Sequence, residues 1–214
     1  MNIFKSYTNI LIIAPHTDDL ELGMGGTVSK LIQNNVIIDV IVLSSADTSL
    51  KSNFTPGTTL KECKDAGLKL GIEENKIKIF DYPVRLFSNY RQDILDQLVK
   101  FSKDKLFDCV FIPSRNDIHQ DHQVTTQEAI RAFKNVSLIG YELVWNQFIQ
   151  KCDMFVQLND KHIDAKIKSI ESYKSQTHRP YCHPNFIKSM AIMRGTQVGV
   201  KYAECFEIIR LIDL

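Results

Sequence analysis

No run of five or more lysines and arginines occurs in the sequence, and 26 basic side chains against 25 acidic ones leave a formal net charge of +1. Nucleic acid is bound through clustered cations, so no nucleic-acid partner is expected. Long apolar runs are missing too. The first run, residues 10–14, is far short of the ~18–20 residues of a membrane span and has no signal-peptide cleavage site after it. The expectation is a soluble, cytoplasmic protein with no transmembrane segment, which would meet a lipid-linked substrate at the membrane surface. The five cysteines (63, 109, 152, 182 and 205) are odd in number, scattered and never in a C-x-x-C pair. They predict no disulfide framework and fit a reducing compartment. Internal repeats, low-complexity stretches and linkers are also absent, so the 214 residues read as one domain, 1–214.

What is present is an alternation of two patterns. Residues 9–14 form a continuous apolar, β-branched run closed by Pro15, as expected of a strand buried on both faces. Val28, Leu31 and Ile32 recur at helical spacing within 27–34, and 36–43 repeats the buried-strand pattern before a polar stretch to Gly57. A helix is predicted over 58–70, stopped by Gly71, then a short strand over 77–80, a helix over 92–101 and a strand over 108–112. Such βαβ alternation predicts a Rossmann-like, doubly wound α/β fold: a mostly parallel sheet with helices on both faces. Further strands are expected at 137–144, 154–158 and 204–212, a helix at 160–173, and a loop over 176–184 placed to cover a site.

Two polar clusters follow predicted strands. His16, Thr17, Asp18 and Asp19 come after the first, and His119, Gln120, Asp121 and His122 after the fourth. Alone, a paired aspartate is a turn or cap and a loop histidine is solvated. Together, three imidazoles and three carboxylates at the ligand-binding edge of one sheet point to a metal site, with zinc the usual ion for that donor mixture. The glycines at 23, 25 and 26 have two readings: close helix packing, favoured here, or backbone N–H groups aimed at an anion. His178, Cys182 and His183 match no zinc spacing and read as ordinary loop.

These residues resemble the LmbE-like or PIG-L-like N-acetylglucosaminyl deacetylases, in which a histidine, proline, aspartate, aspartate run precedes a glycine pair and a later H-x-D-H. Glu62, Ala66, Leu70 and Gly71 extend the likeness over the second helix. The resemblance implies a zinc-dependent hydrolase releasing the acetyl group of an amino sugar that is free, nucleotide-linked or lipid-linked. It implies His16, Asp19 and His122 as metal ligands, with iron as an alternative ion in the cell. It further implies Asp18 as general base, His119 as the group that steadies the oxyanion or protonates the amine, and Asp121 as the carboxylate orienting His119. Thr17 replaces the family's proline, and Thr59 stands where many members have arginine, which bears on substrate contacts. Trp145 and Arg179 are candidates for sugar contacts, near Tyr141, Glu142, Tyr173 and Gln176, although core packing explains such residues equally well. The pattern over 141–146, with Arg194, Gly195 and 202–204, looks like members of bacterial surface-polysaccharide pathways. Two other readings remain open: a deacylase for another amide, such as an antibiotic precursor or a glycosylated thiol, and a non-catalytic sugar- or nucleotide-binding protein.

Overall fold

Strand β1 (Asn9–Ala14) is apolar on both faces because it sits inside a sheet, with parallel neighbours on either side. The structure, a computed structural model, describes residues 7–212. The chain continues through α1 (Asp19–Gln33), β2 (Ile37–Val42), α2 (Thr58–Leu70), β3 (Ile77–Ile79), α3 (Arg91–Asp104), β4 (Cys109–Pro113), α4 (Gln120–Ala132) and β5 (Ser137–Tyr141). It ends with β6 (Met154–Leu158), α5 (Asp160–Ile170), α6 (Pro184–Gln197) and β7 (Tyr202–Arg210).

Among the described residues seven strands lie in the order β3-β2-β1-β4-β5-β7-β6, parallel from β3 to β5, with β7 antiparallel to both β5 and β6. Because side chains alternate along a strand, Ile10 and Ile12 pack towards α1, α2 and α5, while Leu11 and Ile13 pack towards α3 and α4. The expected doubly wound α/β fold is therefore the observed one. From β1 the chain steps outward through β2 and β3, then returns to place β4 on the other side of β1. The loops leaving β1 and β4 diverge at this switch of direction, and the crevice between them is where such sheets bind ligands.

Gly71 ends α2 at φ 95°, in the left-handed conformation the sequence predicts. Several boundaries differ from expectation. The helix expected over 27–34 begins at Asp19 and runs through the glycines, with a break at Met24 (φ −148°). The strand expected over 137–144 stops at Tyr141. Helices α4 and α6 were not anticipated, because polar residues share their buried faces: α4 buries Asp121, Thr125 and Glu128 beside Val124 and Ala129, and α6 buries Arg194 beside Ile187 and Ala191 while exposing Ile192 and Met193.

The cysteine expectation also needs correction. Cys152 and Cys205 form a disulfide across 53 residues, while Cys63, Cys109 and Cys182 are free. Sequence spacing shows no framework because the antiparallel β6–β7 pairing brings these two together. No helix among the described residues is long and apolar enough to cross a membrane.

Candidate metal centre

The metal-type donors converge at the switch point. His16 Nδ1, Asp19 Oδ2 and His122 Nε2 form a triangle with edges of 3.3 Å (His16–Asp19), 3.4 Å (His122–Asp19) and 3.3 Å (His122–His16). Tetrahedral zinc with bonds of ~2.0–2.1 Å sets its ligands ~3.3–3.4 Å apart, so the triangle is one face of such a site. The far nitrogen of each imidazole is tied to a buried carboxylate. His16 Nε2 donates to Asp121 Oδ2 at 3.0 Å, and His122 Nδ1 donates to Asp117 Oδ2 at 2.7 Å. Each bond fixes the ring so that its other lone pair faces the triangle.

Asp121 thus differs from its expected role: its carboxylate orients His16, not His119, and also accepts the backbone N–H groups of Arg85 (2.6 Å) and Phe87 (3.3 Å). Only the backbone N–H of Asp121 meets His119, donating to Nδ1 at 3.2 Å to cap α4. With Nδ1 accepting, the His119 proton resides on Nε2. Burial holds the His119 pKa down, aided by its two histidine neighbours, so this imidazole is neutral and a donor. Its ligand nitrogen lies within 4.8 Å of those of His16 and His122, leaving it as a neighbour of the triangle closed by Asp19.

Charge at the site asks for a cation. Burial pulls the His16 pKa down, but Asp121 and Asp19 override it and lift it to about 10. Burial likewise opposes ionisation of Asp19, yet His122 and His16 hold it at about 2. Asp18 behaves oppositely: burial and then the charge of Asp19 raise it to about 6. Its side chain makes no cap bond at the start of α1, leaving the carboxylate free to face the cavity.

That cavity measures about 240 Å³, with Asp18, Asp19 and the three histidines in its floor. Trp145 and Arg179 both stand in its wall, as do Thr59, Arg85 and Tyr181. Trp145 stacks on Tyr181 at 3.9 Å, and Arg179 Nη1 donates to the Tyr181 hydroxyl at 2.8 Å. The 176–184 segment therefore does border the site, anchored from below by Ser175, whose N–H and hydroxyl donate to Glu62 at 2.9 and 2.5 Å. Thr59 donates to Asp47 at 2.5 Å. By contrast, Tyr141 and Tyr173 are core residues, donating to the carbonyls of Ile13 and Thr17, and Glu142 pairs with Arg194. His183 caps α6, in keeping with a loop role. Asp117, missed in the sequence, is marked there only by lying two residues before His119.

The glycines after the first motif serve packing. A Cβ on Gly26 would lie 2.6 Å from Leu158, and one on Gly23 would lie 2.5 Å from the Tyr141 ring. The helix break they permit frees the Leu22 carbonyl and the Gly26 and Thr27 N–H groups. Lys166 Nζ donates to that carbonyl at 2.8 Å, and Glu204 accepts both N–H groups at 3.1 and 2.7 Å. The Lys166–Glu204 ion pair, at 2.7 Å, therefore replaces the missing helical turn. The N–H groups do meet an anion, but one supplied by the protein.

Glu21, on the same helix, is buried, and its Oε2 has no partner among the described residues. Burial lifts it to about 8. A carboxyl raised above its ordinary value of 4.5 is most favourable to the fold when protonated, and that contribution is lost as pH rises from about 4.5 through about 8. In metal-free protein, Glu21→Gln should therefore gain stability over the parent progressively between pH 5 and pH 8, read from denaturant midpoints. A difference independent of pH would contradict this assignment.

With the geometry established, comparison with known proteins gives the ancestry. The family described as PIG-L, GlcNAc-PI de-N-acetylase, matches residues 11–133, which include both histidine–aspartate motifs. The chain belongs to the PIG-L family. An uncharacterized deacetylase of Escherichia coli K12, YaiS, is 25% identical over 172 residues, covering 78% of this chain and 90% of that protein. The N,N'-diacetylchitobiose deacetylase of Pyrococcus horikoshii superposes with a TM-score of 0.76 at 25% identity, covering 98% of this chain and 86% of that one. A 4-carboxy-2-hydroxymuconate hydratase from Pseudomonas putida has a TM-score of 0.78 at 19% identity, over 97% and 99% of the two chains. That last likeness shows the fold alone. PIG-L membership makes this chain a deacetylase, with its two motifs at the carboxyl ends of β1 and β4.

Proposed function

We propose that this PIG-L protein is a zinc-dependent hydrolase that removes the acetyl group from the nitrogen of an amino sugar. The observation that carries the reading is the triangle of His16, Asp19 and His122 beside a cavity-facing carboxylate, Asp18. A zinc ion held by those three donors would supply Lewis acidity, polarising the amide carbonyl and acidifying water towards a pKa of ~7. Asp18 then takes the proton of the attacking water as oxygen adds to the acyl carbon. His119 Nε2–H donates to the oxygen that gains charge, the role of an oxyanion hole. Breaking the C–N bond releases the carboxylic acid as the proton held on Asp18 goes to the amine, and ionisation of the acid then supplies the proton that makes the amine an ammonium. Asp121 and Asp117 hold the two ligand imidazoles in register.

Support for an N-acetylated sugar comes from the Pyrococcus relative, named for diacetylchitobiose, and from the cavity wall. The Trp145–Tyr181 pair offers an aromatic face, and Arg179 a charged donor, of the kind that grips pyranose rings and their hydroxyls. Metal-stripped protein, with and without added zinc, should be offered N-acetylglucosamine, N,N'-diacetylchitobiose and UDP-N-acetylglucosamine while acetate and free amine are measured. Equal amounts of both, only with metal, are expected from at least one. Absence of acetate from all three, with one zinc bound per chain, would overturn the assignment.

A further inference from the structure

Behind the aromatic pair lies a second cavity of about 40 Å³, walled by Trp145, Tyr181, Leu22, Ile187, Met190 and Ala191. Leu22, Trp145 and Tyr181 also line the metal cavity, so the two cavities adjoin at these three residues. Leu22 lies one helical turn after Asp18, its N–H donating to the Asp18 carbonyl at 3.1 Å. The second cavity therefore begins next to the residues around the acyl carbon.

Its chemistry selects an occupant. Four charged residues contribute to the wall, and each is already paired within the protein. Arg194 donates to Glu142 at 2.9 and 2.7 Å, and Lys166 joins Glu204 at 2.7 Å. None of the buried polar atoms left without a partner among the described residues belongs to this wall. A sugar hydroxyl would meet charged groups already engaged with one another, whereas an alkyl chain would meet Leu22, Ile187, Met190 and Ala191. One water needs about 10–15 Å³ by the same measure, so the space accepts about three waters or a short alkyl chain.

We propose that this cavity is an acyl-chain pocket, so that the protein hydrolyses N-acyl amino sugars with chains longer than acetyl, N-butyryl in particular. The proposal rests on the deacylase reading above and extends it. The chain passes between Leu22 and the Trp145–Tyr181 pair, while water adds to the acyl carbon and the amine departs as before.

The test compares N-acetyl-, N-butyryl- and N-hexanoyl-glucosamine with zinc-loaded parent, Ala191→Leu and Met190→Ala, following free amine. The parent should hydrolyse the butyryl amide with kcat/KM at least equal to that for acetyl. Ala191→Leu, which fills the pocket, should lose at least tenfold on butyryl while staying within about twofold on acetyl. Met190→Ala, which enlarges it, should raise the hexanoyl rate relative to butyryl and serves if Ala191→Leu fails to fold. Acetyl hydrolysis without butyryl hydrolysis, or unchanged chain-length ratios in both variants, would overturn the pocket and leave the deacetylase reading standing. A second readout does not depend on the sugar: calorimetric binding of acetate and butyrate to the zinc-loaded protein. Burying each methylene is worth about fourfold, so butyrate, with two more than acetate, should bind roughly fifteenfold more tightly than acetate in the parent and lose that advantage in Ala191→Leu. Equal binding of the two acids overturns the pocket even if no sugar amide is hydrolysed, the result that would sink the deacylase reading.

Discussion

Replacing Asp18 with asparagine is expected to lower kcat by about 100-fold to 10,000-fold, the usual contribution of a positioned general base, while zinc content stays near that of the parent. The expectation follows from where the carboxylate stands. Asp19 Oδ2 closes the donor triangle, whereas Asp18 makes no cap bond and faces the cavity. Asparagine keeps the shape and removes only the capacity to take a proton. Steady-state kinetics on the best substrate, paired with elemental analysis for metal, separates the outcomes. Parent-like turnover in Asp18→Asn would rule out this base, and loss of zinc would move Asp18 into the ligand set.

The second large effect is expected at His122. Removing its imidazole deletes one corner of the triangle and leaves Asp117, 1% exposed, as a carboxylate without its partner. His122→Ala should therefore lose zinc and activity together, and should fall in stability as well. Asp117→Asn is the graded comparison. It keeps a hydrogen-bond acceptor beside Nδ1 but removes the charge, and changes to such outer partners typically weaken metal binding by about 10–100-fold. Zinc affinity measured by competition with a chelator should then rank parent, Asp117→Asn and His122→Ala in descending order. Parent-like affinity in His122→Ala would remove this histidine from the site.

How much of this could be read beforehand differs by element. Strands β1 and β4 were legible because strands covered on both faces must be nearly continuously apolar, and β2 follows the same pattern apart from Asp39, which pairs with Lys105. Helix α6 was not, since its buried face carries Arg194 and Gly195 while Ile192 and Met193 point outward. The six candidate groups of the two motifs gather at the switch point, with both motifs following strands adjacent in the sheet. Their pairing was another matter. Sequence order suggests that Asp121 serves His119, two residues away, but helix α4 begins between them and turns the carboxylate towards His16. Asp117 escaped notice because nothing in a lone aspartate announces a histidine five residues on. The Cys152–Cys205 bond was hidden for a similar reason: its closeness is a property of strand register, which local spacing does not encode.

The broken turn of α1 has a consequence for how the site comes into being. Both histidine–aspartate motifs, and the whole stretch matched by the family, lie before residue 134. The groups that plug the break, Lys166 and Glu204, arrive later, the second of them on β7. During synthesis, a nascent chain that already carries every proposed metal ligand still lacks the groups that bridge the break at Met24, in the helix that begins at Asp19. The candidate centre is thus completed by α5 and β7, so a fragment stopping after α4 would carry the whole proposed ligand set without the Lys166–Glu204 brace.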